Sequence, residues 1–479
     1  MNQGCLAYNK KSDEIKGRFI MAKKTTAPVK KNEYIELTFS DLTHEGDGVG
    51  KIEGYPVFVP YALPGEKAKV KILKVKKNLA YGKLIEIYEK SEDRVEPPCE
   101  VFYKCGGCQI QHITYEKQLE MKRKVVEDVM RKIAHMPDVT IHPTIGMEEP
   151  WSYRNKAQMP VAMKDGRVLT GFYQKRSHNI IQMDTCPVQN KANDHILREM
   201  RGIIEDLGIE PYDEINHRGV IRHIVVRSGY HTGEIMVVIV TNTKDLQKKE
   251  QLIENIRALD SNIVGIVHNV NPKRTNVIMG RDSKLLWGKD FIIDKIGELE
   301  FEISAHSFFQ VNPEQTEKLY EQTLKYAQLT GSETVIDAYC GIGSISLFLA
   351  QHAKKVYGVE VVPQAIDNAK DNAKRNGLTN AEFYVGQAEK VMPWWRAQGL
   401  RPDVIVVDPP RKGCDEALLQ AMIEMEPERI VYVSCNPSTL ARDLKILAGG
   451  GYEVKEIQPV DMFPQSSHVE SVTLVERKV

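Results

Sequence analysis

Two hydrophobic rhythms divide the chain. From about residue 330, short apolar runs alternate with helix-length amphipathic stretches. TVIDAYCGIGSISLFLAQHA, KVYGVEVVPQAIDNAKDNAKRNG, AEFYVGQAEKVM, PDVIVVDPPRKGCDEALLQAM and RIVYVSCNPSTLARDLKIL each open on a strand, and further strands are predicted near 453–459 and 470–476. Short apolar strands separated by helices predict a parallel sheet covered on both faces, with ligands beyond the carboxyl ends of its strands. Residues 31–90 read differently, as β-branched runs broken by GDG, EGYP and LPGE turns. Five short strands in that length predict a small barrel of the oligonucleotide-binding type. Between these regions the pattern is mixed. A helix with Ile113, Leu119, Val125, Val126 and Val129 on its apolar side follows a turn-rich segment, and GVIRHIVVRSGYHTGEIMVVIVTN predicts two antiparallel strands around a Gly-Tyr-His-Thr-Gly turn. Residues 1–30 are polar, Lys-rich and aperiodic, and read as a disordered arm; MAKKTTAPVKK from Met21 reads as a natural start, which makes the first twenty residues an upstream extension.

The chain has 479 residues, enough for about three domains at ~100–200 residues each. No apolar run reaches the ~18 residues of a membrane helix and no signal peptide opens the chain, so a cytoplasmic protein without a membrane partner is expected, as a monomer. Formal net charge is zero, but residues 1–90 hold 17 Lys and Arg against 11 Asp and Glu, densest in KAKVKILKVKKNLAYGKL. Basic strands beside Tyr55, Phe58, Tyr61 and Tyr81 suit single-stranded nucleic acid, where bases stack and phosphates pair. The same aromatics equally suit a filled barrel interior.

The later strands carry the candidate chemistry. VIDAYCGIGSISL is a strand ending at Asp337, a loop with Gly341 and Gly343, then a helix; the following strand ends on Glu360, a carboxylate able to accept both hydroxyls of a ribose. The glycines do not follow GxGxxG, and the set fits S-adenosyl-L-methionine (SAM) better than a dinucleotide. VIVVDPPRKG ends its strand at Asp408. Arg411 stands where enzymes that methylate exocyclic base amines carry an aromatic ring, which argues against that chemistry. Cys435 follows the strand Ile430–Val433 at the same edge, before Asn436-Pro437, and a helix start there is expected to acidify it. Cys340 and Cys414 read as inert buried residues. A SAM enzyme has a use for a thiolate: added to carbon 6 of uracil, it makes carbon 5 nucleophilic toward a methyl group, and a base must then remove the carbon 5 proton. HVESVTLVERK offers His468 and Glu470, with Glu470 the candidate base.

FFQVNPEQTEKLY, DAYCGIG, VDPPRKG, VSCNPSTLARDL and HVES together resemble the RNA uracil-5-methyltransferase family of SAM-dependent 5-methyluridine enzymes, over about residues 31–479. The resemblance implies Cys435 as nucleophile, Glu470 as base, and SAM contacts from Gln310, Tyr339, Glu360 and Asp408. It implies an α/β fold with an N-terminal TRAM (OB-like) barrel over 31–90, a central α+β RNA-recognition domain over 91–300, and a Rossmann-like class I SAM-dependent methyltransferase domain over 301–479.

Cys99, Cys105 and Cys108 follow C-x5-C-x2-C spacing, and Cys186, followed by proline, is the candidate fourth ligand. Zinc or free thiols also fit four cysteines. The resemblance raises a 4Fe–4S cluster above zinc. It also implies 23S rRNA as the substrate, because the barrel and cysteines are features of ribosomal RNA enzymes. A transfer-RNA enzyme of the same chemistry, a cytosine-5-methyltransferase and a non-catalytic RNA-binding assembly factor are the competing readings. Intact Cys435 and Glu470 speak against the last.

Overall fold

The computed structural model describes residues 27–478. The upstream extension, and the arm as far as residue 26, lie outside the described residues. Residues 27–30 do not behave as an arm: Val29 is buried in the core of the first unit, beside Leu37 and Phe39.

That first unit is the closed five-stranded barrel the turn pattern predicts, formed by Tyr34–Leu42, Gly48–Ile52, Tyr55–Val59, Lys67–Val75 and Ala80–Glu89. Alternation puts Ala68, Val70 and Ile72 inside and the intervening lysines outside. Of the aromatics singled out, Tyr55 is structural, its hydroxyl donating to the Lys76 and Leu79 carbonyls at 2.7 and 2.6 Å. Phe58 and Tyr81 meet edge-on at 5.9 Å, with Lys76 Nζ over the Tyr81 ring. The alternation also leaves Tyr34 54% exposed beneath Lys69 and Lys71, whose ammonium groups lie 5.6 and 5.5 Å from its ring, a cationic-aromatic patch on the outer face.

The second unit carries two large sheets. The central one has seven strands, in the order Asp282–Gly288, Ile263–Val270, Ile235–Thr241, Ile221–Ser228, Lys156–Lys164, Arg167–Tyr173, Ile180–Gln182. Ile221–Ser228 and Ile235–Thr241 are the antiparallel pair read from the sequence.

The C-terminal sheet has eight strands. Seven are labelled here in chain order: β1 Thr334–Ala338, β2 Lys355–Glu360, β3 Ala381–Val385, β4 Val404–Val407, β5 Arg429–Ser434, β6 Tyr452–Val460 and β7 Glu470–Arg477. They run β3-β2-β1-β4-β5-β7-β6, and a short eighth strand, Thr140–Ile141, pairs with β6 at the edge. The first five are parallel, with apolar side chains buried on both faces; β7 enters antiparallel between β5 and β6.

The packing does not divide at residue 300. The hairpin of Phe291–Ile296 and Leu299–Ser304 shares one buried cluster with Val238 and Val267 of the central sheet and Val335 and Val431 of the C-terminal sheet. Helix Tyr115–Val129 lies on the C-terminal sheet. Its Val126, with Met130, Ala134 and Ile141 beyond it, packs in the cluster of Leu440, Leu444 and Leu447. An apolar stripe says that a helix is buried but not against which sheet.

Candidate functional site

The register of β5 and β7 builds the centre of the site. Ser434 pairs with Ser471 in the antiparallel ladder, so Cys435, one residue beyond Ser434, stands opposite Glu470, one residue before Ser471. Thirty-five positions of sequence separation close to a cross-strand pair because β7 is inserted beside β5.

Cys435 is followed at once by a helix cap. Asn436 Oδ1 accepts the Ser438 N–H at 3.1 Å, and Pro437 opens helix Pro437–Gly449. The expected acidification of Cys435 does not occur; its thiol is pushed up to about 11, by burial first and then by the charges of Glu470 and Asp408, against which the charge of Arg411 works.

The same helix start grips the β4 loop. Asn436 Nδ2 and Thr439 Oγ1 donate to the Arg411 carbonyl at 3.0 and 3.3 Å. Deeper down, fully buried Asp443 accepts from Cys414 N (2.8 Å), Tyr432 OH (2.6 Å) and Arg442 Nε (2.7 Å), while Arg442 Nη2 donates to the Lys412 and Cys414 carbonyls. Gly413, at φ +78°, leaves no room for a Cβ, which would lie 2.6 Å from both Arg442 Nη2 and Asp443 Oδ2. Asp443 was not singled out from the sequence, where TLARDL reads as an ordinary amphipathic helix. Asp443→Ala strands two buried donors, and is expected to cost about 3 kcal/mol of stability in a urea titration; an unchanged midpoint would contradict this role.

The carboxylates form a relay of mutual repulsion. Asp337 is fully buried, accepts from Ser346 Oγ at 2.5 Å and leaves its other oxygen without a partner; burial and the charge of Glu360 raise its pKa to about 7. Burial and Asp337 raise Asp408, and burial and Asp408 raise Glu470. Glu470 Oε2 is buried and unpartnered. Tyr320, on helix Pro313–Ala327, feels the same carboxylates and bonds Ser344 Oγ at 2.8 Å; nothing in the sequence marked it beyond its place in NPEQTEKLY.

The loop after β1 has the shape of a ligand cradle. Tyr339 sits at φ +75°, and its N–H and that of Cys340 both donate to the Val359 carbonyl, at 3.0 and 3.1 Å. Glu360 closes β2 with Oε1 accepting from Val362 N at 3.0 Å. Gln310 is buried, its carbonyl accepting from Asn155 Nδ2 at 3.3 Å, and Asn312 Nδ2 reaches the Met462 carbonyl in the loop before Glu470. The orphaned Asp337 oxygen, the carboxylate ending β2 and the open turn between them suit a polar cofactor bearing hydroxyl and amine groups. Cys340 and Cys414 are buried with raised pKa values, as expected of inert thiols.

The other four cysteines gather elsewhere. Burial raises each of Cys99, Cys105, Cys108 and Cys186. Cys99 adds to the rise at the other three, and Cys108 to that at Cys186. Gly107 N–H points at Cys105 Sγ, 3.3 Å away. The donor set therefore suits a four-thiolate site. Among the described residues, however, no three His, Cys, Asp or Glu side chains are set as ligands of one ion. None of the helices among these residues is long and apolar enough to cross a membrane.

Comparison with known proteins gives the family. Residues 114–478 match the family described as tRNA (Uracil-5-)-methyltransferase, and residues 28–85 match the TRAM domain. An uncharacterized RNA methyltransferase of Halalkalibacterium halodurans is 59% identical over 455 residues, covering 95% of this chain and 99% of its own length. One from Oceanobacillus iheyensis is 59% identical over 450 residues, 94% and 98% of the two chains. Among solved structures, Pyrococcus abyssi tRNA (uracil-54, C5)-methyltransferase in complex with S-adenosyl-L-homocysteine superposes with a TM-score of 0.74 at 28% identity, covering 92% of this chain and all of the other.

Proposed function

Because the chain belongs to the tRNA (uracil-5-)-methyltransferase family and is a SAM-dependent RNA uracil-5-methyltransferase with an N-terminal TRAM domain, we propose that it methylates carbon 5 of specific uridines in 23S rRNA, through a covalent bond between Cys435 and carbon 6. The reading rests chiefly on the β5–β7 register, which sets a thiol opposite a buried carboxylate with an unpartnered oxygen. The proposed enzyme is cytoplasmic and monomeric.

The target base must leave its stack to reach Cys435, at a cost of a few kcal/mol. Cys435 is half-buried, so its thiol proton can pass to water as sulfur adds to carbon 6. The charge displaced onto carbon 5 and the neighbouring carbonyl makes carbon 5 the nucleophile. S-adenosyl-L-methionine supplies the electrophilic methyl group. Glu470 then takes the proton from carbon 5, the C–H electron pair restores the ring double bond, and the C–S bond breaks to free Cys435. Gln310, Tyr339, Glu360 and Asp408 hold the methyl donor, with Glu360 accepting its ribose hydroxyls.

The barrel and the four cysteines support 23S rRNA. The Pyrococcus abyssi structure favours a second reading, transfer RNA, since that enzyme acts on tRNA and its whole chain is covered. Tritium release from RNA carrying 5-tritiated uridine separates them. Release from a 23S transcript and none from a tRNA transcript is expected; the converse replaces the ribosomal reading.

Cys99, Cys105, Cys108 and Cys186 are proposed to hold a 4Fe–4S cluster, whose assembly must strip protons from four thiols of raised pKa. Protein prepared without oxygen is expected to be brown, with about four irons and four sulfides per chain. A colourless protein with one zinc would overturn this assignment.

A further inference from the structure

We propose that helix Tyr115–Val129 and the turn after Cys108 form a clamp that positions Glu470, with Lys122 and Gln118 as its positioning residues. The inference rests on Glu470 being the base. Glu470 is preceded by the nine-residue connection Asp461–Val469, which leaves β6 and must deliver β7 in register beside Cys435. Ordering a connection of that length costs conformational entropy, which contacts from outside it offset.

Asn312 Nδ2 on the Met462 carbonyl, Tyr153 OH on the Pro464 carbonyl and Asp461 N–H on the Ile145 carbonyl each hold one point of the connection, and the densest fastening comes from residues 109–122. Lys122 and Asp461 are both fully buried and form an ion pair; Lys122 Nζ also donates to the Phe463 carbonyl at 3.1 Å. Tyr115 OH donates to the other Asp461 oxygen at 2.9 Å. Gln118 makes a reciprocal pair with Gln465: Gln118 Nε2 donates to Gln465 Oε1 at 3.0 Å, and Gln465 N donates to Gln118 Oε1 at 3.1 Å. The N–H groups of Gln109 and Ile110, directly after Cys108, both donate to the Gln465 carbonyl, at 3.1 and 3.2 Å.

A buried ion pair contributes little net stability, but it admits few geometries, and each of these bonds acts on the connection rather than on the sheet. The helix thus fixes where β7 begins, and through it where the Glu470 oxygen faces carbon 5. General-base transfer needs that oxygen within hydrogen-bond reach of its proton.

The test separates adduct formation from adduct resolution in single turnovers with an RNA that releases tritium. Gln118→Leu removes three neutral hydrogen bonds, two to Gln465 and one to the Ile113 carbonyl, and leaves no buried charge; Lys122→Met is the stronger lesion. With folding verified by circular dichroism, both are expected to slow resolution tenfold or more. Adduct formation and SAM affinity should stay within twofold. In a Glu470→Gln background, Gln118→Leu should add no further slowing, because one step is affected by both. Unchanged resolution in both folded variants, or full additivity with Glu470→Gln, would overturn the clamp while leaving the base in place. Free turnover by Glu470→Gln alone would instead remove the base reading, and the clamp with it.

Discussion

Cys435→Ala is expected to reduce methylation by on the order of 10⁴-fold or more while SAM and RNA affinities stay near wild type. Removing one member of a unit that acts together costs nearly the whole of its contribution, and among the described residues no other thiol follows β5 at the register of Glu470. Cys340 and Cys414 are buried with raised pKa values, and the four clustered cysteines answer to one another rather than to the carboxylates of the site. Because the Cys435 thiol is pushed up to about 11, addition should also accelerate with pH across the neutral and mildly alkaline range. Asp408→Asn removes one of the charges that raise it and should move that dependence to lower pH; an unmoved profile would contradict the electrostatic account.

Glu470→Gln is expected to leave methyl transfer intact and stall elimination, so that an enzyme–RNA adduct accumulates on a denaturing gel. A glutamine fills the same buried site and cannot accept the carbon 5 proton. The wild-type carboxylate is held up to about 8 by burial and by Asp408. It works as a base only when ionised, so adduct resolution should rise with pH and level off above about 8, and Glu470→Gln should lose that inflection. The stability consequence has a definite sign. The folded chain holds this proton to higher pH than the ordinary value of 4.5, so burial of the charged form costs stability progressively between about 4.5 and 8. At pH 8.5 the glutamine variant should therefore unfold at higher denaturant than wild type, although it is inactive. Ready turnover by Glu470→Gln would exclude the residue as base.

What the sequence makes legible follows from the range over which each force acts. Strand–helix alternation after residue 330, the turn spacing of the barrel, and the hairpin around Gly229–Gly233 are local patterns, and all three appear in the fold. Cys435 and Glu470 were each visible in a motif. Their apposition was not, because it depends on β7 entering between β5 and β6, and strand order leaves no local trace. The failed acidification has the same origin: a helix start lies beside Cys435 in sequence, whereas the carboxylates that outweigh it arrive from β4 and β7. Helix Tyr115–Val129 showed its apolar stripe but not the sheet it would cover. Lys122, Gln118 and Asp443 look like solvated polar residues until the fold buries them.

The central claim is a covalent bond between Cys435 and the target uridine of 23S rRNA. A 23S transcript made with 5-fluorouridine tests it most directly, since a base cannot strip fluorine from carbon 5 as it strips a proton, and elimination stops at the adduct. Incubated with this RNA and methyl-labelled SAM, the enzyme should give one denaturation-stable complex that carries the label. Peptide mapping should locate the RNA on Cys435, and Cys435→Ala should give no such band. A complex that survives in Cys435→Ala, or wild-type enzyme that methylates 23S rRNA yet never forms the complex, would contradict the account.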